Sequence, residues 1–379
     1  MGPLSGIRIV ELAGIGPGPL AAMVLGDLGA DVLRIDRISG SFVLDVASKF
    51  AVHMRNRRSI AIDLRRPEAV EVVLRLVARA DGFIDPFRPG VVERLGVGPE
   101  PCLKRNPKLV YGRITGWGQE GPLADKAGHD INYIALAGVL GAIGRKGETP
   151  VPPLNLVADY GGGGMLLAVG MLAGLIESMK SGRGQVVDAT MIDGAALLLG
   201  MITGLRGAGL WSDERGTNLL DSGAHFYEVY ETRDGKHVAV GAIEPQFYAN
   251  LIQKLGLVGE ALPAQMDRAS WPSMKARFAA IFKSKTRDEW CAIMDEADTC
   301  VAPVLSIDEA PVHPHARARA AFIDVDGAIQ PAPAPRFSRT PSGEPAVAPK
   351  PGAHTDEVLT EAKFSADEIA ALRSTGVLG

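Results

Sequence analysis

Cysteine is scarce: Cys102, Cys291 and Cys300 are the only three in 379 residues, odd in number and far apart, with no CxxC pair. That excludes a disulfide framework, speaks against a thiolate zinc site, and suits a reducing compartment, so a cytoplasmic protein is expected. None of the three sits beside a histidine signature, which leaves cysteine nucleophile chemistry without support. Excess charge is lacking too. A formal net charge of −4 gives no basic face for nucleic acid. An anionic ligand must therefore be met by local arginines. The N-terminus MGPLSGIRIVELAG has no charged region ahead of an apolar core, so no secretory signal is read there. Gly6 stands where a myristoylation pattern needs Ser or Thr, and Val377-Leu378-Gly379 is not a peroxisomal tail. There is no Gly-x-Ser-x-Gly and no Walker loop. His313-Pro314-His315 lies in a Pro/Ala-rich stretch and reads as a solvated loop, so no metal site is expected. From Tyr160 to Ile176 there is no charge, but the run falls short of the ~20 apolar residues a membrane span needs and holds four glycines, Gly161 to Gly164. A buried helix, with no membrane span, is expected.

What is present is a globular composition, 46% hydrophobic and 22% charged, on a chain long enough for two domains. Ile7–Leu12 is an apolar run, 13–19 a Gly/Pro loop, Leu20–Leu28 has helical spacing, and Asp31–Asp36 is a second apolar run: a βαβ unit, hence a parallel sheet. The loop is not a dinucleotide fingerprint, because GxGxxG would need glycine where Pro19 stands. Strands are expected at 59–64, 82–85, 109–115 and 185–189. Helices are expected at 66–80, 130–143 and 161–180. A composition shift near Ala224 precedes a hairpin over 225–242 that turns at Asp234-Gly235. Helices over 245–255 and 288–295 complete a smaller α+β region. Residues 330–351 are proline-rich and extended. A last helix over 364–372 has Ser365 and Glu368 spaced as a capping box.

Chemistry can sit at three places. Gly128-His129-Asp130-Ile131-Asn132-Tyr133 opens the 130–143 helix, with Asp130 as the expected N-cap. Free N–H groups at such a start can hold an enolate oxygen while His129 takes a proton; equally, His129 can be a helix-start residue bonded to its own turn. Asp159 sits in an apolar run before the glycine-rich helix. It either caps that helix or serves as a functional carboxylate, since burying it without compensation costs several kcal/mol. Glu244 ends a strand before Pro245, either easing the helix dipole or orienting a histidine. Arg37, Arg58, Arg88 and Arg94 follow strands or open loops at the sheet edge where α/β folds bind ligands, and can receive phosphates.

Taken in order, LSGIRIVEL-x-GIGPGP, GDLGADVLRIDR, IDPFRPGVVERLGVGPE, ITGWGQEGP, AGHDINYIALAGVLGAIGR, PLNLVADYGGGG, GRGQVVDATMIDG and VAVGAIEPQFY resemble the family III CoA-transferase superfamily, and within it the α-methylacyl-CoA racemase branch. The resemblance implies a large Rossmann-like parallel-sheet domain plus a smaller α+β domain in an interlocked homodimer. The expected divisions are 1–190 (large, CoA-binding), 191–224 (linker), 225–325 (small) and 326–379 (a return segment with the C-terminal helix). It implies CoA contacts at Arg37, Ile62, Asp63, Leu64, Arg65 and Arg94, and thioester contacts at Gly128, Asp130 and Tyr133. His129 and Asp159 fall on the catalytic positions, Asn155 beside them, and Glu244 on the histidine's partner. The chemistry implied is a 1,1-proton transfer on an acyl-CoA, with no metal or organic cofactor.

Some features depart from the pattern. Leu219-Leu220-Asp221-Ser222-Gly223-Ala224-His225 replaces the usual Leu-Asp-Gly-Gly-Ala-Pro, Asp85 stands where glutamate is usual, and the 39–54 segment is longer. Two other functions remain open. In a CoA transferase, Asp159 would form an acyl anhydride; the histidine at 129 speaks against this. In a CoA-binding protein without catalysis, the full set His129, Asp159 and Glu244 would have no use.

Overall fold

Short apolar runs alternating with helices build a six-stranded sheet, described here from a computed structural model over residues 2–39 and 47–379. Part of the 39–54 segment, residues 40–46, thus lies outside the described residues. The strands are β1 (Arg8–Leu12), β2 (Asp31–Asp36), β3 (Arg57–Ala61), β4 (Gly82–Asp85), β5 (Val110–Thr115) and β6 (Gln185–Thr190). Their order is β3-β2-β1-β4-β5-β6 and every pairing is parallel. Strand order reverses between β1 and β4, which makes their C-terminal ends a ligand crevice. Ile9, Val10, Leu12, Ile60, Phe83, Ile84 and Tyr111 are fully buried, each such side chain contributing about 1.5–3 kcal/mol.

The chain divides into two units. The sheet unit comprises residues 1–137, 154–198 and 315–379; the second comprises 138–153 and 199–314. The stretch 138–153, read from sequence as part of the large domain, therefore clusters with the second unit, while 191–198 and 315–325 belong with the sheet.

In the sheet unit, α1 (Pro17–Asp27) starts earlier than its apolar spacing suggested. Pro17 takes the first helical position and Gly16 supplies a left-handed φ of 69° before it. The amphipathic helix α2 (Glu68–Val77) buries Ala69, Val72, Val73 and Leu76. β3 ends at Ala61, so residues 62–65 emerge as a loop beyond the strand. The expected helix over 130–143 is two pieces, Asp130–Leu136 and Val139–Ala142, because Gly138 adopts a left-handed φ of 83° between them. The 161–180 helix starts earlier and differently: Leu156–Met165 is a wide π-helical stretch that runs into the α-helix Leu166–Ser181. Glycine makes this packing feasible. A Cβ on Gly162 would lie 2.7 Å from the Ala195 backbone nitrogen, and one on Gly164 2.8 Å from the Pro17 carbonyl. Leu156–Ser181 is long and apolar enough, by length and composition, to cross a membrane, and 50% of its most apolar window is buried inside the fold.

The C-terminal segment closes over the same unit. β10 (Phe322–Val325) and β11 (Ala328–Pro331) pair antiparallel, and the proline-rich stretch beyond them has no regular structure. The helices Thr355–Glu361 and Ala366–Ser374, with the turn between them, add Val358, Leu359, Phe364 and Ile369 to the sheet's core. The Ser365/Glu368 capping box forms as its spacing predicts: Glu368 N–H donates to Ser365 Oγ at 3.2 Å, and Ser365 N–H donates to Glu368 Oε2 at 2.7 Å.

The second unit holds the expected hairpin, β7 (Tyr227–Glu231) and β8 (His237–Gly241), joined by a third antiparallel strand, β9 (Val301–Pro303). The helices Pro245–Lys254, Trp271–Phe282 and Arg287–Met294 bury Leu251, Phe278, Phe282 and Trp290 against it.

Candidate active site

At the C-terminal ends of β1 to β4 lies a cavity of about 980 Å³. Its walls are the Ala13-Gly14-Ile15 loop after β1, Arg34 to Ser39 at the end of β2, Ile62 to Arg65 after β3, and Pro86 to Arg88 after β4. Of the expected CoA-contacting residues, Arg37, Ile62, Asp63, Leu64 and Arg65 stand in this lining. Arg94 does not, although its neighbours Val91 and Leu95 do. Arg88, flagged among the sheet-edge arginines, also lines it. Arg58 does not serve as an anion receiver: its guanidinium bonds Asp31 at 2.8 Å, Glu361 at 2.9 Å and Glu357 at 3.1 Å. Pro351 and Gly376, from the C-terminal segment, line the cavity without any sequence signal to announce them. The loop after β1 carries such a signal, its Gly-Pro composition at a strand end.

The proton-transfer candidates are carried on neighbouring elements of the sheet unit. His129, exposed, is the N-cap of Asp130–Leu136, in extended backbone with φ −135° and ψ 173°. Its N–H donates to Asn132 Oδ1 at 3.0 Å. Asp130 is therefore not the N-cap expected from sequence; the helix begins one residue earlier, and its carboxylate is released for another task. Asp130 Oδ2 accepts the backbone N–H of Ala158 at 2.7 Å and of Asp159 at 2.9 Å. The His129 helix start and the π-helical turn bearing Asp159 are thus bonded directly to each other. The first N–H groups of the helix, at Asp130 and Ile131, have no intrahelical acceptor.

Asp159 does not cap its own helix. Its half-buried carboxylate accepts one side-chain bond, from Asn155 Nδ2 to Oδ2 at 3.2 Å. Burial raises its pKa above the ordinary carboxylate value; the Asn155 bond lowers it, the Asp130 charge raises it further and His129 opposes that. A Cβ on Gly16 would sit 3.4 Å from Asp159 Oδ2. Gly16 follows Gly14 and Ile15 of the cavity wall, so the carboxylate abuts the loop that borders the crevice.

Tyr133 is buried, edge-on to Trp117 at 4.7 Å between ring centroids. A Cβ on Gly128 would meet the Tyr133 ring at 2.7 Å, which explains the glycine there. Burial pushes the Tyr133 hydroxyl up to about 12; the Asp159 charge adds to this and Arg88 opposes it. Tyr133 stays a neutral phenol. Glu244 belongs to the second unit, exposed, as the N-cap residue of Pro245–Lys254.

Comparison with known proteins follows the same lines. Over 377 residues the chain is 50% identical to an alpha-methylacyl-CoA racemase of Mus musculus, covering 99% of this chain and 97% of that one. Over 378 residues it is 46% identical to the protein of the same name from Homo sapiens, with the same two coverages, 99% and 97%. The crystal structure of a CAIB/BAIF family protein from Brucella suis superposes with a TM-score of 0.82 at 26% identity, covering 95% of this chain and 99% of that one. The family model for CoA-transferase family III matches residues 4–355, so the chain belongs to CoA-transferase family III.

Proposed function

We propose that the protein interconverts (R)- and (S)-2-methylacyl-CoA thioesters, with His129 and Asp159 as the two proton-transfer groups. The observation that carries this reading is the linkage between them. One carboxylate, Asp130, bonds the helix start bearing His129 to the turn bearing Asp159, beside a crevice at the strand-order reversal. Full-length relatives that carry the racemase name support it.

In one direction, neutral His129 takes the α-proton and becomes imidazolium. The C–H electron pair moves into the thioester carbonyl to give an enolate, whose oxygen is met by the N–H of Asp130. Protonated Asp159 then returns a proton to the opposite face and is left as carboxylate. In the other direction Asp159 is the base and imidazolium the acid. A carboxyl whose proton affinity is raised by burial suits the donor half-step better than an ordinary one. Asn155 steadies whichever form is present. Arg37 and the 62–65 loop, which line the cavity, receive the CoA moiety, and Gly128 and Tyr133 shape the thioester end.

Glu244 orients His129 in the working assembly, which we propose is a homodimer. The exposed apolar side chains Val169, Ile176, Met179, Leu197 and Leu198 of the sheet unit support a partner surface. No cofactor takes part, because the thioester itself stabilises the enolate; activity should survive chelator treatment.

The test is incubation of one 2-methylacyl-CoA enantiomer in deuterated water. Exchange of the α-proton together with loss of optical purity is expected, and His129→Ala should abolish exchange from at least one enantiomer. Appearance of CoA on an added free acid without exchange would establish the transferase reaction instead.

A further inference from the structure

The Asp130 carboxyl sits in an unusual setting. The residue is 4% exposed. Oδ2 accepts two backbone N–H groups from the π-helical turn, while Oδ1 is buried with no hydrogen-bond partner. Among the described residues it makes no salt bridge. A buried carboxylate oxygen left unmatched is costly, so tethering a turn is an insufficient reason for a charged residue here.

We propose that the Asp130 side chain is a positioning residue for proton transfer: it fixes the turn that carries Asp159 and keeps a second negative charge beside that carboxyl. This rests on the racemase reading and adds to it a role separate from the Asp130 backbone N–H. The charged and titratable groups facing Asp159 are few. His129, Asp130 and Tyr133 come from the helix start, and Arg88 acts on Tyr133 from the loop after β4. Asn155, from Asp159's own turn, and Gly16, from the loop after β1, bring no charge. Of these, Asp130 is the group whose negative charge disfavours the Asp159 carboxylate. The arrangement lets Asp159 hold a proton long enough to deliver it to the enolate, while the two N–H bonds prevent the turn from rotating the carboxyl away.

The test compares Asp130→Asn with wild type in two readouts. The first is the pH profile of α-proton exchange from each enantiomer. Removing the charge should move the limb that belongs to Asp159 to lower pH, with KM for the acyl-CoA changed by less than about threefold, since the backbone N–H remains. The second needs no activity. The Tm gain of Asp159→Asn, measured from pH 4 to pH 8, should be smaller in the Asp130→Asn background than in wild type, because the carboxylate it removes is no longer repelled. Asp130→Ser, which keeps an acceptor for the two N–H groups, replaces Asp130→Asn if the latter fails to fold. An unmoved limb and an unchanged Tm gain overturn the proposal. Wild type without exchange but with the smaller Tm gain would instead overturn the racemase reading and leave the Asp130–Asp159 coupling standing.

Discussion

Glu11 and Asp159, two carboxylates of the sheet unit, are held in opposite ways. Glu11 lies on β1 with no exposure at all. Its Oε1 accepts from Arg34 at 2.8 Å and its Oε2 from Arg57 at 2.6 Å. Burial opposes its charge, but the two guanidiniums outweigh that and keep its pKa below the ordinary value. Asp159 is only half-buried, yet among the described residues it has one amide donor, no guanidinium and a like charge nearby, and its pKa rises. Depth of burial therefore does not set the direction in which a carboxyl's pKa moves; the partners do. The partners of Glu11 favour its charged form, whereas the surroundings of Asp159 disfavour its charged form.

The sharpest way to break this contrast is to neutralise each carboxyl in turn. Asp159→Asn should lower α-proton exchange by about 10²–10⁴-fold for at least one enantiomer, with Tm unchanged or raised. A drop in Tm of several degrees would mean that Asp159 is structural after all. Glu11→Gln should do the reverse. It strands Arg57, which is fully buried at its guanidinium end, and should cost about 3–5 kcal/mol of unfolding free energy in a urea titration at pH 7, while the fraction still folded keeps its KM.

The same pair predicts opposite pH dependences. Glu11 has a folded pKa below its unfolded one, so its contribution is present at neutral pH and is lost as pH falls below the unfolded value near 4.5. The Tm deficit of Glu11→Gln should therefore narrow on acidification. Asp159 has a folded pKa above its unfolded one, near 3.8; its contribution is present below that value and is lost as pH rises through the folded pKa. The Tm of Asp159→Asn relative to wild type should thus climb with pH over that window. Parallel curves for the two variants would erase the distinction.

Much of the fold was legible because period and composition are local. The βαβ start, strands β4 to β6, the Asp234-Gly235 hairpin and the Ser365/Glu368 capping box each depend on a few adjacent residues. What escaped depends on distant partners. The π-helical turn at 156–165 exists because glycines let it meet α1 and the helix Met191–Leu198, which no periodicity reports. Asp130 looks like an N-cap in one dimension, and only the fold reveals that its Oδ2 is spent on the N–H groups of Ala158 and Asp159. His129 and Asp159 stand out from their short motifs, which leave a structural role open for each, while Asn155 comes from the resemblance alone.

Two arginines, one just after β2 and one on β3, extend the comparison to cations, with smaller effects. Arg37, just beyond β2, and Arg58, on the edge strand β3, both read from sequence as anion receivers. Arg58 is saturated by three carboxylates, whereas Arg37 is exposed on the cavity wall with no salt bridge among the described residues. Arg37→Ala should therefore raise KM for acyl-CoA by about 10–100-fold, the loss of a charged hydrogen bond worth about 1.5–3 kcal/mol, and leave Tm alone. Arg58→Ala should leave KM alone and lower stability by about 1 kcal/mol, because its partners are partly exposed and screened. Steady-state kinetics and melting curves on the two variants separate these outcomes. If Arg58→Ala raised KM as much as Arg37→Ala, ion pairing would not decide which arginines are available to a ligand.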